Sequence, residues 1–139
     1  RDIPADEGQF ALVVSGLALA HLPDLDAGVR ELGRVLAPGG HLIVSVLHPF
    51  QALLGWHAPF VDELGQRHFV REHSHTHSDY IAAFTVAGLQ VRRCIEPALS
   101  GEIRAKRRAF RHIPAATRAA YEGIPAVLIW DAEKPFSLR

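Results

Sequence analysis

Histidine is the residue type in this sequence that is best suited to acid–base chemistry. The chain has nine histidines, and five of them follow apolar runs or lie in one polar segment: His21, His48, His73, His75 and His77. An unperturbed imidazole titrates at about pH 6.5, so each of these side chains could take a proton from an oxygen or nitrogen nucleophile. We take His21, His48 and His75 as candidates for a catalytic base. The residues alone do not choose among them, and the catalytic residue stays unassigned.

Three of these histidines alternate along the chain, a spacing that metal ligands also use. In an extended segment, His73, His75 and His77 would point to one side. A zinc site also needs a fourth ligand or a water, with supporting partners, and Thr76 and Asp79 match a helix-capping pattern more simply. We therefore predict no metal. A lid over a substrate and a solvated loop remain alternatives for this segment.

Four arginines recur at helical spacing near the end of the chain. Residues 104, 107, 108 and 111 are all arginine, and they share one face if 102–112 is helical. Such a face is either solvated or able to hold a phosphate or carboxylate, which guanidinium groups bind in a bidentate manner. We name Arg107 and Arg111 as substrate-side candidates. Nucleic acid is not the expected ligand, because the stripe itself contains no aromatic residues that could stack on bases.

Length and composition indicate a single folded domain. The chain has 139 residues, of which 48% are hydrophobic and 22% are charged, a balance that excludes general disorder. Acidic and basic residues number 15 each, so no bulk charge points to nucleic acid or to an anionic membrane. The one cysteine, Cys94, cannot form an internal disulfide, and no apolar run approaches the ~20 residues that span a bilayer. We expect a cytoplasmic protein.

The elements that must position the histidines begin with two apolar runs and a helix between them. Residues 10–15 are typical of a strand that is buried on both faces, and residues 42–47 form a second apolar run that is also predicted as a strand. An apolar stripe that starts at Leu25, with Asp24 as the N-cap, predicts a helix that ends before Pro38. Strand, helix and strand together form a βαβ unit. Ligands bind beyond the carboxyl ends of such strands, so the site should follow them directly.

The rest of the chain supplies two more strands and a long segment without periodicity. Strands are predicted at 89–95, near an edge of the sheet, and at 126–130. A capping box at Thr76 predicts a short helix before the first of these strands. The segment 48–80, rich in histidine, is longer than a plain connector needs to be, and we interpret it as a lid or substrate-side insertion.

One continuous stretch carries a family resemblance. Residues 10–50, FALVVSGLALAHLPDLDAGVRELGRVLAPGGHLIVSVLHPF, resemble the second half of a class I S-adenosylmethionine-dependent methyltransferase. The strand, the HLPD turn, the helix ending in RVL and the PGG turn follow one another in the order of that family. The stretches THSDYIAAFTVAGLQV at 76–91 and IPAVLIWDAEKP at 124–135 look like the family's next helix and strand and its closing antiparallel strand.

The resemblance implies an α/β, Rossmann-like methyltransferase fold. Its mostly parallel sheet would have an antiparallel last strand, and only the last four strands of the family's seven would be present. The glycine-rich turn that holds the methionine part of the cofactor in this family would then be absent. We accordingly expect residues 1–139 to form a single partial domain, a fragment from the C-terminal part of a methyltransferase.

The resemblance also implies a cofactor and a division of the site residues. The cofactor would be S-adenosyl-L-methionine, bound by residues at the end of the first strand and just after it: Ser15, Gly16, Leu17 and His21. A small-molecule acceptor would be enclosed by the 48–80 segment, with these residues on the substrate side: His48, Trp56, His73, Tyr80, Arg107 and Arg111.

Two other functions remain open at this point. The chain could be a non-catalytic α/β module that acts mainly as a subunit interface, or a His-rich metal-binding module. The first alternative follows from strand 10–15, whose outer edge would lack the family's preceding strand as a partner. An exposed apolar edge invites pairing with a second copy, so we expect a homodimer of this chain.

Overall fold

The computed structural model describes residues 2–54, 57–98 and 112–136. Within these residues the elements follow one another in this order: β1 (Phe10–Gly16), a 3-10 turn (Leu19–His21), α1 (Leu25–Val35), β2 (Leu36–Leu47), α2 (Pro49–Leu53), β3 (Ala58–Val61), β4 (Arg67–Val70), α3 (His77–Val86), β5 (Gln90–Ile95), α4 (Pro114–Tyr121) and β6 (Val127–Glu133).

The predicted βαβ unit is present, and its helix begins as expected. The Ala27 N–H donates to Oδ1 of Asp24 over 2.9 Å, which makes Asp24 the N-cap of α1. Leu25 and Val29 are buried on the face that the apolar stripe predicts. The second strand of the unit starts earlier than expected, at Leu36, because the backbone pairs with β1 before it reaches the glycines.

The main sheet has the strand order β1-β2-β6-β5 in the part of the chain that the structure describes. β1 and β2 are parallel, whereas β6 runs antiparallel to both of its neighbours. The other three strands therefore point the same way, which confirms a mostly parallel α/β sheet with an antiparallel last strand. β5 lies at the sheet edge, as predicted, and β6 lies inside the sheet.

The hydrophobic core lies on one face of this sheet, under α1 and α3. Its largest buried side chains include Tyr80 and Phe84 from α3, which pack against Trp130 of β6. The opposite face of β1 is open: Leu12 is 58% exposed and Val14 is 65% exposed. The expected burial of this strand on both faces is wrong for the described residues, because none of their helices covers that face.

The 48–80 segment contains more regular structure than the predicted loop. β3 and β4 form an antiparallel hairpin, and Oδ1 of Asp62 holds its turn by accepting the N–H groups of Leu64 and Gln66. The capping box is confirmed at the start of α3, where Thr76 and Asp79 bond to each other's backbone. None of the described helices has the length and apolar character needed to cross a membrane.

A carboxylate on α1 gives the fold a pH dependence. Glu31 pairs with Arg34 over 2.7 Å and also accepts the Ile3 N–H over 2.8 Å. These bonds, led by the one from Arg34, lower the pKa of Glu31 from 4.5 to about 2. The pKa of Glu31 is lower in the folded protein than in the unfolded chain. The carboxylate therefore stabilises the fold at pH values above its unfolded pKa, and this stabilisation is lost as the pH falls through its folded pKa.

Replacing this carboxylate should therefore change how the unfolding temperature depends on pH in the acidic range. We expect Glu31→Gln to lower the unfolding temperature above pH 4.5, and we expect the difference from the wild type to shrink as the pH falls toward 2. Thermal unfolding followed by circular dichroism over this range measures both proteins. If the difference in unfolding temperature between the two proteins were the same at every pH, this would contradict the lowered pKa of Glu31.

Candidate functional site

A cavity of about 290 Å³ lies at the carboxyl ends of β1 and β2. β6 is antiparallel, so its first residues lie at the same end of the sheet. The lining residues come from these strand ends, the 3-10 turn and the 48–80 segment: Leu17, Ala20, His21, Leu47, His57, Ala58, Glu72 and Val127. This is the place where an open α/β sheet binds its ligands, and the sequence predicted it.

The backbone at the end of β1 is strained next to this cavity. Leu17 has a φ of 54°, and no other described non-glycine residue has a positive φ. Its N–H donates to the carbonyl oxygen of Ser45 over 2.7 Å, which holds the residue in place. A side chain in this conformation costs free energy, and such residues concentrate where a ligand is held. Leu17 itself lines the cavity.

His21 is the predicted base candidate that lies in the cavity with a free ring nitrogen. Its Nδ1 lies 3.0 Å from the carbonyl oxygen of Arg71. A carbonyl can only accept, so Nδ1 carries the proton and Nε2 keeps its lone pair. No other group in the described part of the chain bonds to Nε2. The fold thus fixes the tautomer in which His21 can accept a proton from a molecule in the cavity.

The four predicted cofactor residues lie together around the end of β1. Leu17 and His21 line the cavity described above, and Ser15 is buried beside a second cavity of about 210 Å³. Gly16 lies between them in the chain. A methyl group added to Gly16 would have Oγ of Ser45 as its nearest contact, at 3.9 Å, so protein packing does not require a glycine here. Their contact with a cofactor stays a prediction.

His48 is placed differently from His21. It is only 5% exposed, and its Nδ1 accepts the Phe50 N–H over 3.1 Å as the cap of α2. Nε2 must therefore carry the proton of the neutral ring, and it donates to Oε1 of Glu96 over 3.0 Å. Both nitrogens are engaged, and the side chain does not line the cavity. The structure favours a structural role for His48 over that of a base.

Glu96 joins His48 to His77, and these three side chains bring their ligand atoms within 4.8 Å of one another. Nε2 of His77 donates to the same carboxylate oxygen over 2.8 Å. The hydrogen bond from His48, followed by that from His77, lowers the pKa of Glu96. A metal-bound histidine normally donates its second N–H to an acceptor, whereas Nδ1 of His48 faces a donor. This arrangement is a carboxylate bridge between two rings.

The alternating histidines do not converge on one point. The rings of His73 and His75 stack at 6.1 Å, whereas His77 turns away to Glu96. Nε2 of His75 donates to the carbonyl oxygen of Leu22 over 2.8 Å, and the residue lines a different, shallow depression. Neither His73 nor His75 lines the cavity at the carboxyl ends of β1 and β2.

The other substrate-side candidates divide into two groups. Tyr80 is 1% exposed and packs in the core, where burial, followed by the charges of Asp79 and Glu72, raises the pKa of its phenol. It does not line the cavity. Trp56, Arg107 and Arg111 lie outside the residues that the structure describes.

Two polar residues of the cavity, His57 and Glu72, were not among the sequence-based candidates. Oε2 of Glu72 is buried and has no hydrogen-bond partner in the described part of the protein. The ring of His57 contacts that of Phe69 on the hairpin. Both residues belong to the histidine-dense 48–80 segment, and that density was the one available indication. Their position depends on how the segment folds back over the strand ends.

Comparisons with known proteins agree with the geometry. Residues 1–44 match the family model described as a methyltransferase domain. The chain is 30% identical over 101 residues to the chloroplastic tocopherol O-methyltransferase of Arabidopsis thaliana, an alignment that covers 68% of this chain and 29% of that protein. It is 41% identical over 51 residues to the biotin biosynthesis bifunctional protein BioCD of Bordetella avium, covering 37% of this chain and 11% of that protein.

A solved structure extends the likeness to nearly the whole chain. The S-adenosylmethionine-dependent methyltransferase from Mesorhizobium loti superposes with a TM-score of 0.64 over 94% of this chain and 65% of that one, at 19% identity. At this identity the match shows the fold. The chain spans between a tenth and a third of the length of the two curated relatives. By family model, relatives and fold, this chain belongs to the class I methyltransferases, a family whose cofactor is S-adenosylmethionine.

Proposed function

We propose that this chain contributes the acceptor side of an active site that transfers a methyl group from S-adenosylmethionine to a small molecule. The observation that carries the proposal is the free Nε2 of His21 in a largely apolar cavity at the strand ends. The tocopherol O-methyltransferase from Arabidopsis thaliana, by its name, acts on a small-molecule acceptor, which supports the same class here.

The residues at the end of β1 fit one side of the cofactor. When bound, S-adenosylmethionine supplies an electrophilic methyl group on a sulfonium sulfur. Gly16 offers backbone without a side chain, and the fold leaves space beside it. Leu17 and Ala20 supply apolar surface that excludes water. Positioning and exclusion of water provide most of the catalysis in an in-line displacement, so these are the contributions expected of this part of the site.

His21 supplies the proton acceptor when the nucleophile is an O–H or N–H group. The carbonyl of Arg71 holds Nδ1–H, so the proton that the acceptor loses goes to Nε2. In the imidazolium that forms, the same carbonyl accepts from Nδ1, and no rearrangement is needed. A base of this kind contributes about 10²- to 10⁴-fold in rate.

The 48–80 segment encloses the acceptor in this proposal. Ala58 is the first residue of β3, His57 directly precedes it, and Glu72 comes from the stretch after the hairpin. Three bonds fasten that stretch to the 3-10 turn: His73 N–H to Ala20 O, His21 Nδ1–H to Arg71 O and His75 Nε2–H to Leu22 O. The wall of the cavity is thereby fixed relative to His21.

Transfer of a labelled methyl group tests the proposed function. The protein is incubated with methyl-labelled S-adenosylmethionine and a panel of single-ring phenols and amines, and label is measured in the small organic products. We expect transfer to at least one member. A folded protein that binds the cofactor product and transfers label to none of them would contradict the proposal.

The open face and edge of β1 favour a second role for the chain, as a subunit interface. Val14 is 65% exposed on the open face of β1, and the described residues place no strand along the outer edge of β1. We expect the chain to associate as a homodimer through this edge.

We also expect the protein to be located in the cytoplasm.

A charge on this edge should prevent the association. We expect Val14→Lys to shift the mass measured by light scattering at high micromolar concentration from dimer to monomer, because an interface that covers β1 would bury the ammonium group at a cost. Val86→Lys on α3 is the matched control, since that valine is 66% exposed. A wild-type monomer, or a dimer that both variants retain, would contradict the prediction.

A further inference from the structure

Glu72, which lines the cavity, has a carboxylate oxygen for which the described residues supply no partner. Oε2 of Glu72 is buried, and no donor among the described residues reaches it. A buried carboxylate oxygen without a donor is unfavourable, so native structures retain one where a ligand or an ordered water completes it. Glu72 lines the same cavity as the free Nε2 of His21.

The position of Glu72 is set by the backbone on both sides of it. The carbonyl of Arg71 accepts from Nδ1 of His21 over 3.0 Å, and the His73 N–H donates to the carbonyl of Ala20 over 2.7 Å. These two bonds join residues about 50 positions apart in the chain. The backbone of Glu72 is therefore held against the 3-10 turn that carries His21, and these two lining residues are here called the polar corner of the cavity.

The rest of the lining determines which ligands this corner can accept. The other lining residues are apolar except His57, and no lysine or arginine is among the described residues that line the cavity. An anionic group placed here would face the carboxylate of Glu72 without a balancing cation among the described lining residues. The volume, about 290 Å³, is at the small end of the range for ligand sites.

We propose that Glu72 accepts a hydrogen bond from the methyl acceptor and thereby selects a small, largely apolar molecule that carries an ammonium or hydroxyl donor and no anionic group. This inference rests on the proposed function, since it assigns the acceptor to the cavity of His21. Glu72 is then a specificity-determining residue. It holds the donor group while the apolar walls hold the ring or chain of the acceptor.

Three probes of nearly equal shape test this selection without any methyl transfer. Benzylamine, benzyl alcohol and benzoate are titrated separately into the protein, and their dissociation constants are measured by ligand-observed NMR. We expect the amine and the alcohol to bind at least tenfold more tightly than benzoate. Glu72→Gln removes the charge at constant shape, and we expect it to abolish the preference for the amine over benzoate.

Glu63→Gln is the matched control, because Glu63 is an exposed carboxylate in the turn of the same hairpin. We expect it to leave all three constants unchanged. Equal binding of benzoate and benzylamine by the wild type, a preference that survives Glu72→Gln, or binding of none of the probes would each overturn the inference. Titration with S-adenosylhomocysteine separates this result from the proposed function, because the probe preference does not depend on cofactor binding.

Discussion

His21→Asn should lower kcat by about 10²- to 10⁴-fold, the contribution of a positioned general base. Asparagine places an amide N–H near the position of Nδ1 and can still donate to the carbonyl of Arg71, a bond of 3.0 Å in the wild type. It has no lone pair at the position of Nε2. The variant therefore keeps the wall of the cavity in place and removes only the proton acceptor.

A variant of a second histidine distinguishes this role from a structural one. His75→Gln is the matched control: its amide can still donate to Leu22, as Nε2 of His75 does over 2.8 Å, and the residue is outside the cavity. Full activity in His21→Asn, or an equal loss in both variants, would show that His21 is not the base.

Tyr80→Ala should lower the free energy of unfolding by about 3–5 kcal/mol, the range for truncating a large buried aromatic side chain. Tyr80 is 1% exposed, and its ring centroid lies 6.3 Å from that of Trp130 and 6.4 Å from that of Phe84. Truncation leaves a cavity between α3 and the sheet. Because a domain of this size has about 5–15 kcal/mol of stability in total, the loss is large.

The phenylalanine variant separates packing from substrate contact. Tyr80→Phe keeps the ring and removes the hydroxyl, so we expect its stability in denaturant titrations and its kcat to stay close to the wild-type values. The sequence placed Tyr80 on the substrate side, and the structure places it in the core. A tenfold loss of kcat in Tyr80→Phe at unchanged stability would support the substrate-side assignment of Tyr80.

The local rules of helix formation explain why much of the fold was predictable. Asp24 caps α1 and Thr76 pairs with Asp79 at the start of α3, and both motifs depend on residues three positions apart. The parallel pairing of β1 and β2 follows from the helix between them. The hairpin was missed, although Asp62 and Gly65 are turn residues between two short runs, because its strands are exposed and lack an apolar alternation.

The sequence predicts where the candidate site lies, but it does not predict which residues line it. His21 follows a strand end that sequence identifies as a binding edge, and the structure places it there. The contact that decides its tautomer joins it to Arg71, 50 residues later. His48 directly follows β2, yet capping of α2 and the bond to Glu96 occupy its ring. Such long-range partners are set by tertiary packing, which no local pattern reports.

Calorimetric titration of S-adenosylhomocysteine tests, without knowledge of the acceptor, whether the end of β1 binds the cofactor. Gly16→Ala is the informative variant, because the nearest contact of an added methyl group would be Oγ of Ser45 at 3.9 Å, so the fold should tolerate it. Gly33→Ala on α1 is the matched control, since its added methyl group would also make only ordinary contacts, the nearest at 3.6 Å.

We expect saturable binding to the wild type, unchanged affinity in Gly33→Ala and at least tenfold weaker affinity in Gly16→Ala, with circular dichroism showing that all three proteins are folded. A folded wild type that does not bind S-adenosylhomocysteine, or equal affinity in the two glycine variants, would contradict the placement of the cofactor at the end of β1.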